Sequence, residues 1–209
     1  MDLPIIKVTL LGDSGVGKSS IILRYSTGKF ENNSLTTKGA DYSRSKVEMN
    51  GKIYVLDIWD TAGQEQYRSL GKHFYKNAYI VILVYDITKK ESFENLKNIW
   101  YKDLIRYGEK CTVIAIVGNK IDLYEKEEVP ENEVISYANE KNALFMQVSA
   151  KTGDNINNLF KALINKYLDP NFNVLVSKNI KKTEGSVKIK KRSKEEENKI
   201  KKDKGNRCC

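Results

Sequence analysis

An α/β domain, with a six-stranded and mostly parallel sheet covered by helices on both faces, is the fold the sequence predicts. Three observations point there. Short apolar runs alternate with segments of helical periodicity through the first 168 residues. One pair of runs flanks Asn50-Gly51 and reads as a hairpin. The remaining runs are apolar nearly throughout, as strands buried on both faces are. The longest of them, residues 78–85, has eight residues, against the roughly 20 that a membrane-spanning helix needs.

Ile5–Leu11 is interrupted only by Lys7 and Thr9 and ends at a glycine-rich turn, which suits a largely buried strand. Residues 18–25 follow with helical spacing. Residues 45–49 and 53–59 are the two arms of the hairpin. Residues 79–85 and 111–117 are further buried strands, and Leu144–Val148 is a shorter one. Residues 92–107, 131–139 and Ile156–Leu168 carry apolar side chains at helical intervals. About five helices and six strands are expected, with one hairpin and otherwise parallel pairing. Ligands of such sheets bind beyond the carboxyl ends of the strands. The loops after Leu11, Trp59, Val117 and Val148 are therefore where chemistry is expected.

The net charge of +9 is unevenly placed. Residues 169–209 hold thirteen Lys/Arg against six Asp/Glu, which leaves only +2 for residues 1–168. Residues 1–170 read as the folded domain and 171–209 as a disordered, basic C-terminal tail ending in Cys-Cys. Aromatics vanish beyond Phe172, so the tail lacks stacking platforms and no nucleic-acid partner is expected. Met1-Asp2-Leu3-Pro4 has neither a basic segment before an apolar stretch nor a glycine at position 2, so no secretory leader or N-myristoylation is expected. The cysteines are Cys111, Cys208 and Cys209, and the adjacent pair cannot staple a fold. A reducing compartment follows. His73, the only histidine, has no second ligand positioned to make it a metal site.

Gly12-Asp13-Ser14-Gly15-Val16-Gly17-Lys18-Ser19 fits G-x-x-x-x-G-K-[ST], between an expected strand and an expected helix. Its glycines let backbone N–H groups turn toward phosphate oxygens, and the helix N-terminus adds positive potential. Residues Ser14, Gly15, Val16, Gly17, Lys18, Ser19 and Ser20 are thus the expected phosphate-binding stretch. Lys18 can reach the β- and γ-phosphates, and the Ser19 hydroxyl can ligate Mg²⁺. Downstream, Asp57-Ile58-Trp59-Asp60-Thr61-Ala62-Gly63-Gln64 closes the third strand. Asp60 can hold Mg²⁺ through water. Gly63 leaves its N–H free to approach a terminal phosphate, and Gln64 can orient an attacking water.

Gly118-Asn119-Lys120-Ile121-Asp122 ends the fifth strand and Ser149-Ala150-Lys151 ends the sixth. A carboxylate at Asp122 can accept from both N1–H and the N2 amino group of guanine. Adenine would leave it unpaired, and such mismatches discriminate strongly. Asn119 can tie this loop to the phosphate loop, the Lys120 stem can cover a ring face, and the Ala150 N–H can donate to guanine O6.

These motifs, in this order, resemble the Ras-like small GTPases over about 165 residues, and within them the sequence looks like a Rab. The Rab-type segments stand here as Thr37-Lys38-Gly39-Ala40-Asp41-Tyr42, Tyr54-Val55-Leu56-Asp57-Ile58-Trp59, Gln66-Tyr67-Arg68-Ser69-Leu70, Phe74-Tyr75-Lys76-Asn77-Ala78 and Leu83-Val84-Tyr85-Asp86-Ile87-Thr88. Lys38, Gln66-Tyr67 and Lys76-Asn77 depart from the usual residues on the surface that partners read. The resemblance implies a P-loop GTPase fold and a GTP/GDP switch that recruits effectors to membranes in vesicle trafficking, slow without an activating protein. It implies that Thr37 closes on Mg²⁺ and the γ-phosphate, so that Lys18, Thr37 and Gln64 are the catalytic set and Ser19, Thr37 and Asp60 the metal set. It further implies that Phe30 packs beside the guanine and that Tyr42, Trp59 and Phe74 form an effector surface. Cys208 and Cys209 match a doubly geranylgeranylated ending. The implied partners are an exchange factor, a GTPase-activating protein, effectors, and escort and GDP-dissociation inhibitor proteins. The implied location is the cytoplasmic face of an intracellular membrane, in exchange with cytosol.

Overall fold

The structure, a computed structural model, describes residues 3–31, 40–61, 76–108 and 113–172, all within one compact unit, Met1–Asn173. Six strands form one sheet in the order β2-β3-β1-β4-β5-β6. They are β1 (Ile5–Leu11), β2 (Ala40–Met49), β3 (Lys52–Thr61), β4 (Ile80–Asp86), β5 (Val113–Asn119) and β6 (Leu144–Val148). Only the β2–β3 pair is antiparallel. Its turn is Asn50-Gly51, with φ of 53° and 72°, the positive pair that a two-residue hairpin turn requires and that Asn-Gly supplies at least cost.

The helices are α1 (Lys18–Thr27), α2 (Lys90–Asn95), α3 (Tyr101–Tyr107), α4 (Glu131–Glu140) and α5 (Ile156–Leu168). A π turn, Leu96–Trp100, joins α2 to α3 in one continuous helical rod. A 3₁₀ segment, Ile121–Lys126, follows β5. β4 shows how the sheet divides the core. All seven of its residues are buried, and alternate side chains serve opposite faces. Ile80, Ile82 and Val84 join Val8, Ile21, Phe160 and Leu163 under α1 and α5. Val81, Leu83 and Tyr85 join Phe93, Leu96, Leu104, Val134 and Ala138 under α2, α3 and α4. The Tyr25 ring of α1 stacks on Phe160 of α5 at 3.7 Å between centroids. This two-sided core holds the strand ends, and hence their loops, at fixed heights along one edge.

Some bounds differ from the sequence expectation. β2 starts at Ala40, five residues earlier than expected, because it is an edge strand held by its ladder to β3 rather than by apolar side chains. The pairs Asp41–Asp60, Tyr42–Trp59 and Arg44–Asp57 lie within that ladder. The rod expected over 92–107 starts at Lys90 and carries the π turn. β5 is described from Val113 onward, and Cys111 lies outside the described residues.

Candidate nucleotide site

β1 ends at Leu11 and α1 begins at Lys18, so the intervening turn must wrap back on itself. Gly17 caps α1 with φ 98° and ψ 29°. A Cβ at Gly17 would lie 2.2 Å from Asn119 Nδ2, so both conformation and space demand glycine there. The Lys18 side chain is buried, 5% exposed. Its ammonium donates to Gly12 O at 2.8 Å and Asp13 O at 2.9 Å. Two of its three donors are thus used by the loop, and the third remains for an anion. Burial pulls the Lys18 pKa down to about 8, opposed by the charges of Asp60 and Asp13. An arriving phosphate would replace the water that burial removed.

The Ser19 hydroxyl, at the start of α1, donates to Asp60 Oδ2, near the end of β3. Asp60 is 5% exposed, and its neighbour Thr61 donates through Oγ1 to Leu10 O at 2.7 Å, pinning the β3 end to β1. A hydroxyl and a carboxylate therefore meet beside the phosphate loop. Both are hard oxygen donors, which fits Mg²⁺, an ion usually held by one or two protein oxygens together with substrate phosphates and water. Among the described residues no cluster of three or more His, Cys, Asp or Glu could hold a metal.

The base loops converge on the same turn. Asn119, 2% exposed, donates through Nδ2 to Val16 O at 2.9 Å and accepts at Oδ1 from the Ala150 N–H at 3.1 Å. One buried amide thereby joins three loops. The Ala150 N–H, expected for guanine O6, here serves Asn119. Ser149 Oγ donates to Asp122 Oδ1 at 2.6 Å and accepts from the Thr152 N–H at 3.0 Å. Lys151 Nζ lies 3.9 Å from Asp122 Oδ2. Lys120, in the left-handed region at φ 74°, sends its ammonium to Asp86 Oδ2 at 2.6 Å and Gly15 O at 2.9 Å.

Two positioning features escaped the sequence. Arg24 donates through Nε to Ala150 O at 2.8 Å and through its Nη atoms to Gly28 O and Lys151 O. Its guanidinium lies 6.0 Å from the Phe30 ring centroid. Arg24 thus faces the loop after β6. Asp86, buried beneath Lys120, also accepts from the Thr88 N–H and Oγ1. Nothing in local sequence spacing marks either contact, because each joins elements far apart in the chain.

Tyr42 and Trp59 are cross-strand neighbours, with ring centroids 5.3 Å apart in an edge contact. Tyr42 is 44% exposed. Its hydroxyl donates to Asp57 Oδ1 at 2.8 Å, and Arg44 Nε reaches the same oxygen at 2.8 Å. Lys7 Nζ sits 5.1 Å over the Trp59 ring. Thr37, Gly63, Gln64, Phe74, Cys208 and Cys209 lie outside the described residues.

A strand, a glycine turn and a helix carrying a buried lysine, tied by Asn119 to the loops at two neighbouring strand ends, define the class of P-loop nucleotide-binding domains. The family model described as the Ras family matches residues 7–169, and the chain belongs to that family. It is 45% identical over 155 residues to the Ras-related protein Rab-22A of Homo sapiens, covering 74% of this chain and 79% of that protein. Rab-22A of Mus musculus is 44% identical and that of Canis lupus familiaris 45%, with the same coverage. The chain is a Rab-type small GTPase of membrane trafficking. It binds guanine nucleotide, hydrolyses GTP to GDP, and works through regulators and effectors. No described helix is long and apolar enough to cross a membrane.

Proposed function

We propose that residues 1–170 form a Mg²⁺-dependent GTP/GDP switch and that residues 171–209 carry it to the cytoplasmic face of an intracellular membrane. The observation that carries this reading is the Asn119 side chain, bonded to Val16 O and the Ala150 N–H. It ties the phosphate turn to both base loops, which supports one ligand spanning them. Ser14, Gly15, Val16, Gly17, Lys18, Ser19 and Ser20 receive the phosphates. Asp122 takes the guanine edge, with Ser149, Ala150 and Lys151 behind it, Lys120 over one ring face and Phe30 beside it.

Ser19, Asp60 and Thr37 would hold Mg²⁺, which when bound supplies positive charge to the phosphate oxygens. The Lys18 ammonium stabilises negative charge developing on the phosphates, and the Gly63 N–H senses the terminal one. Gln64 orients the attacking water. Arg24 is committed to the loop after β6 and Arg44 to Asp57, which supports an arginine supplied in trans by a GTPase-activating protein. Such a group is worth about 10³–10⁵ in rate. An exchange factor reloads the switch. Effectors read Tyr42, Trp59 and Phe74, and escort and GDP-dissociation inhibitor proteins handle a lipid-modified tail.

Single-turnover hydrolysis by the purified chain tests this. GTP should be cleaved slowly in the presence of Mg²⁺, and more slowly still in Gln64→Leu, while GDP affinity stays within about two-fold because leucine removes only the water contact. Equal turnover by Gln64→Leu would assign the water to another group.

A further inference from the structure

The rod that packs behind the phosphate turn changes its helical geometry at one place. The π turn Leu96–Trp100 is marked by an i→i+5 hydrogen bond, from the Tyr101 N–H to Leu96 O. Such turns recur at functional sites. The reason for this one lies in two side chains that bracket it. Asn95 Nδ2 donates to Asp13 Oδ2 at 2.8 Å, and Trp100 Nε1 donates to Asp13 Oδ1 at 2.7 Å. In an α-helix, residues five apart diverge by about 140° around the axis and could not share one carboxylate. The π turn widens the helix by one residue and brings both donors to the same side.

Asp13 is the second residue of the phosphate turn and is gripped at both ends. Its carboxylate is held by Asn95 and Trp100, and its carbonyl accepts from Lys18 Nζ at 2.9 Å. A rigid path therefore runs from the rod, through Asp13, to the ammonium beside the phosphate site. Trp100 is 6% exposed and anchored among Leu96, Leu104 and Phe93 in the core, so its N–H is a fixed donor. Charge-assisted bonds of this kind are the strong ones.

We propose that Asn95 and Trp100 are positioning residues that lock the phosphate turn through Asp13 and thereby set how slowly nucleotide leaves. The inference rests on the phosphate-binding reading of residues 14–20. Through the lock, strain on the outer face of the rod reaches the nucleotide without touching it.

Release of a fluorescent GDP analogue from the full-length chain is the measurement. Trp100→Phe keeps an aromatic ring in the core and removes the N–H. It should speed release about ten-fold, the factor that loss of one such bond supplies. Asn95→Asp should do the same, because its carboxylate would face the Asp13 carboxylate with no donor between them. The exchanged pair Asp13→Asn with Asn95→Asp restores donor to acceptor and should bring release back within about two-fold of the wild-type rate. Trp100→Phe added to Asp13→Ala should change release little, whereas a Trp100 that serves packing alone would shift both backgrounds alike. Melting temperatures of the GDP-bound variants separate lost packing from lost positioning. Unchanged release in Trp100→Phe, or an exchanged pair as fast as Asn95→Asp alone, overturns the inference and leaves the nucleotide site standing. A wild-type chain that retains no GDP overturns both.

Discussion

Asp122, the carboxylate proposed above to read the base, is held by its neighbours as well as charged. Ser149 Oγ fixes one oxygen at 2.6 Å, and the Lys151 ammonium stands 3.9 Å from the other. The side chain is thus oriented before any ligand arrives, and less ordering is required on binding. Asp122→Asn keeps an acceptor for Ser149 and replaces an acceptor for guanine with an N–H donor. GTP affinity should fall by at least about a hundred-fold, because guanine donors would face a donor. Xanthine, with an oxygen at C2, should become the preferred base. Competition of GTP and XTP against a labelled nucleotide reads this out. Unchanged affinities for both would remove Asp122 from the base contact. The proposal of that role came from sequence, because a strand-end Asn-Lys-x-Asp offers few other uses for its carboxylate. The Ser149 hydrogen bond was not, since it spans 27 positions.

At the scale of elements, α1 links the two halves of the site. Its first turn supplies Lys18 and Ser19, and its last supplies Arg24, whose fork holds the carbonyls of Ala150 and Lys151. Arg24→Met removes the fork while retaining much of the aliphatic stem. The loop after β6 should loosen, and GDP should dissociate about ten-fold faster, with single-turnover hydrolysis of bound GTP nearly unchanged because Lys18 stays in place. Arg24→Lys keeps the charge but offers no planar fork, so it should fall nearer methionine than wild type. Stopped-flow release beside single-turnover hydrolysis tests both; hydrolysis falling in step with release would tie Arg24 to the phosphate end instead. Elements whose signal lies in their own side chains, such as β4 with seven buried residues, could be read directly. The early start of β2 could not, because its polar residues are held by ladder bonds to β3. The π turn could not either, because the carboxylate that Asn95 and Trp100 share belongs to Asp13, more than 80 positions away.

Across the whole molecule, the proposed function assigns membrane attachment to the basic C-terminal residues and nucleotide chemistry to residues 1–170. Residues 178–207 hold thirteen basic and five acidic side chains. Near an anionic leaflet each Lys or Arg contributes up to about 1 kcal/mol, less at higher salt. The block Glu195-Glu196-Glu197 offsets part of that attraction, so charge should tune attachment rather than create it. A single lipid chain binds a membrane only marginally, whereas two can anchor stably. Cys208 and Cys209 supply two thiols for that purpose under the proposed double geranylgeranylation. Deleting both should shift the protein from the pelleted membranes to the soluble fraction, and substituting either alone should give a protein that salt washes away more readily. GTP affinity of the purified truncated chain should match wild type, because no nucleotide contact proposed above lies beyond Lys151. Fractionation at low and high salt provides the comparison. A truncation that still pellets in both conditions would show that the basic residues or a bound partner, not the lipids, hold the protein to its membrane.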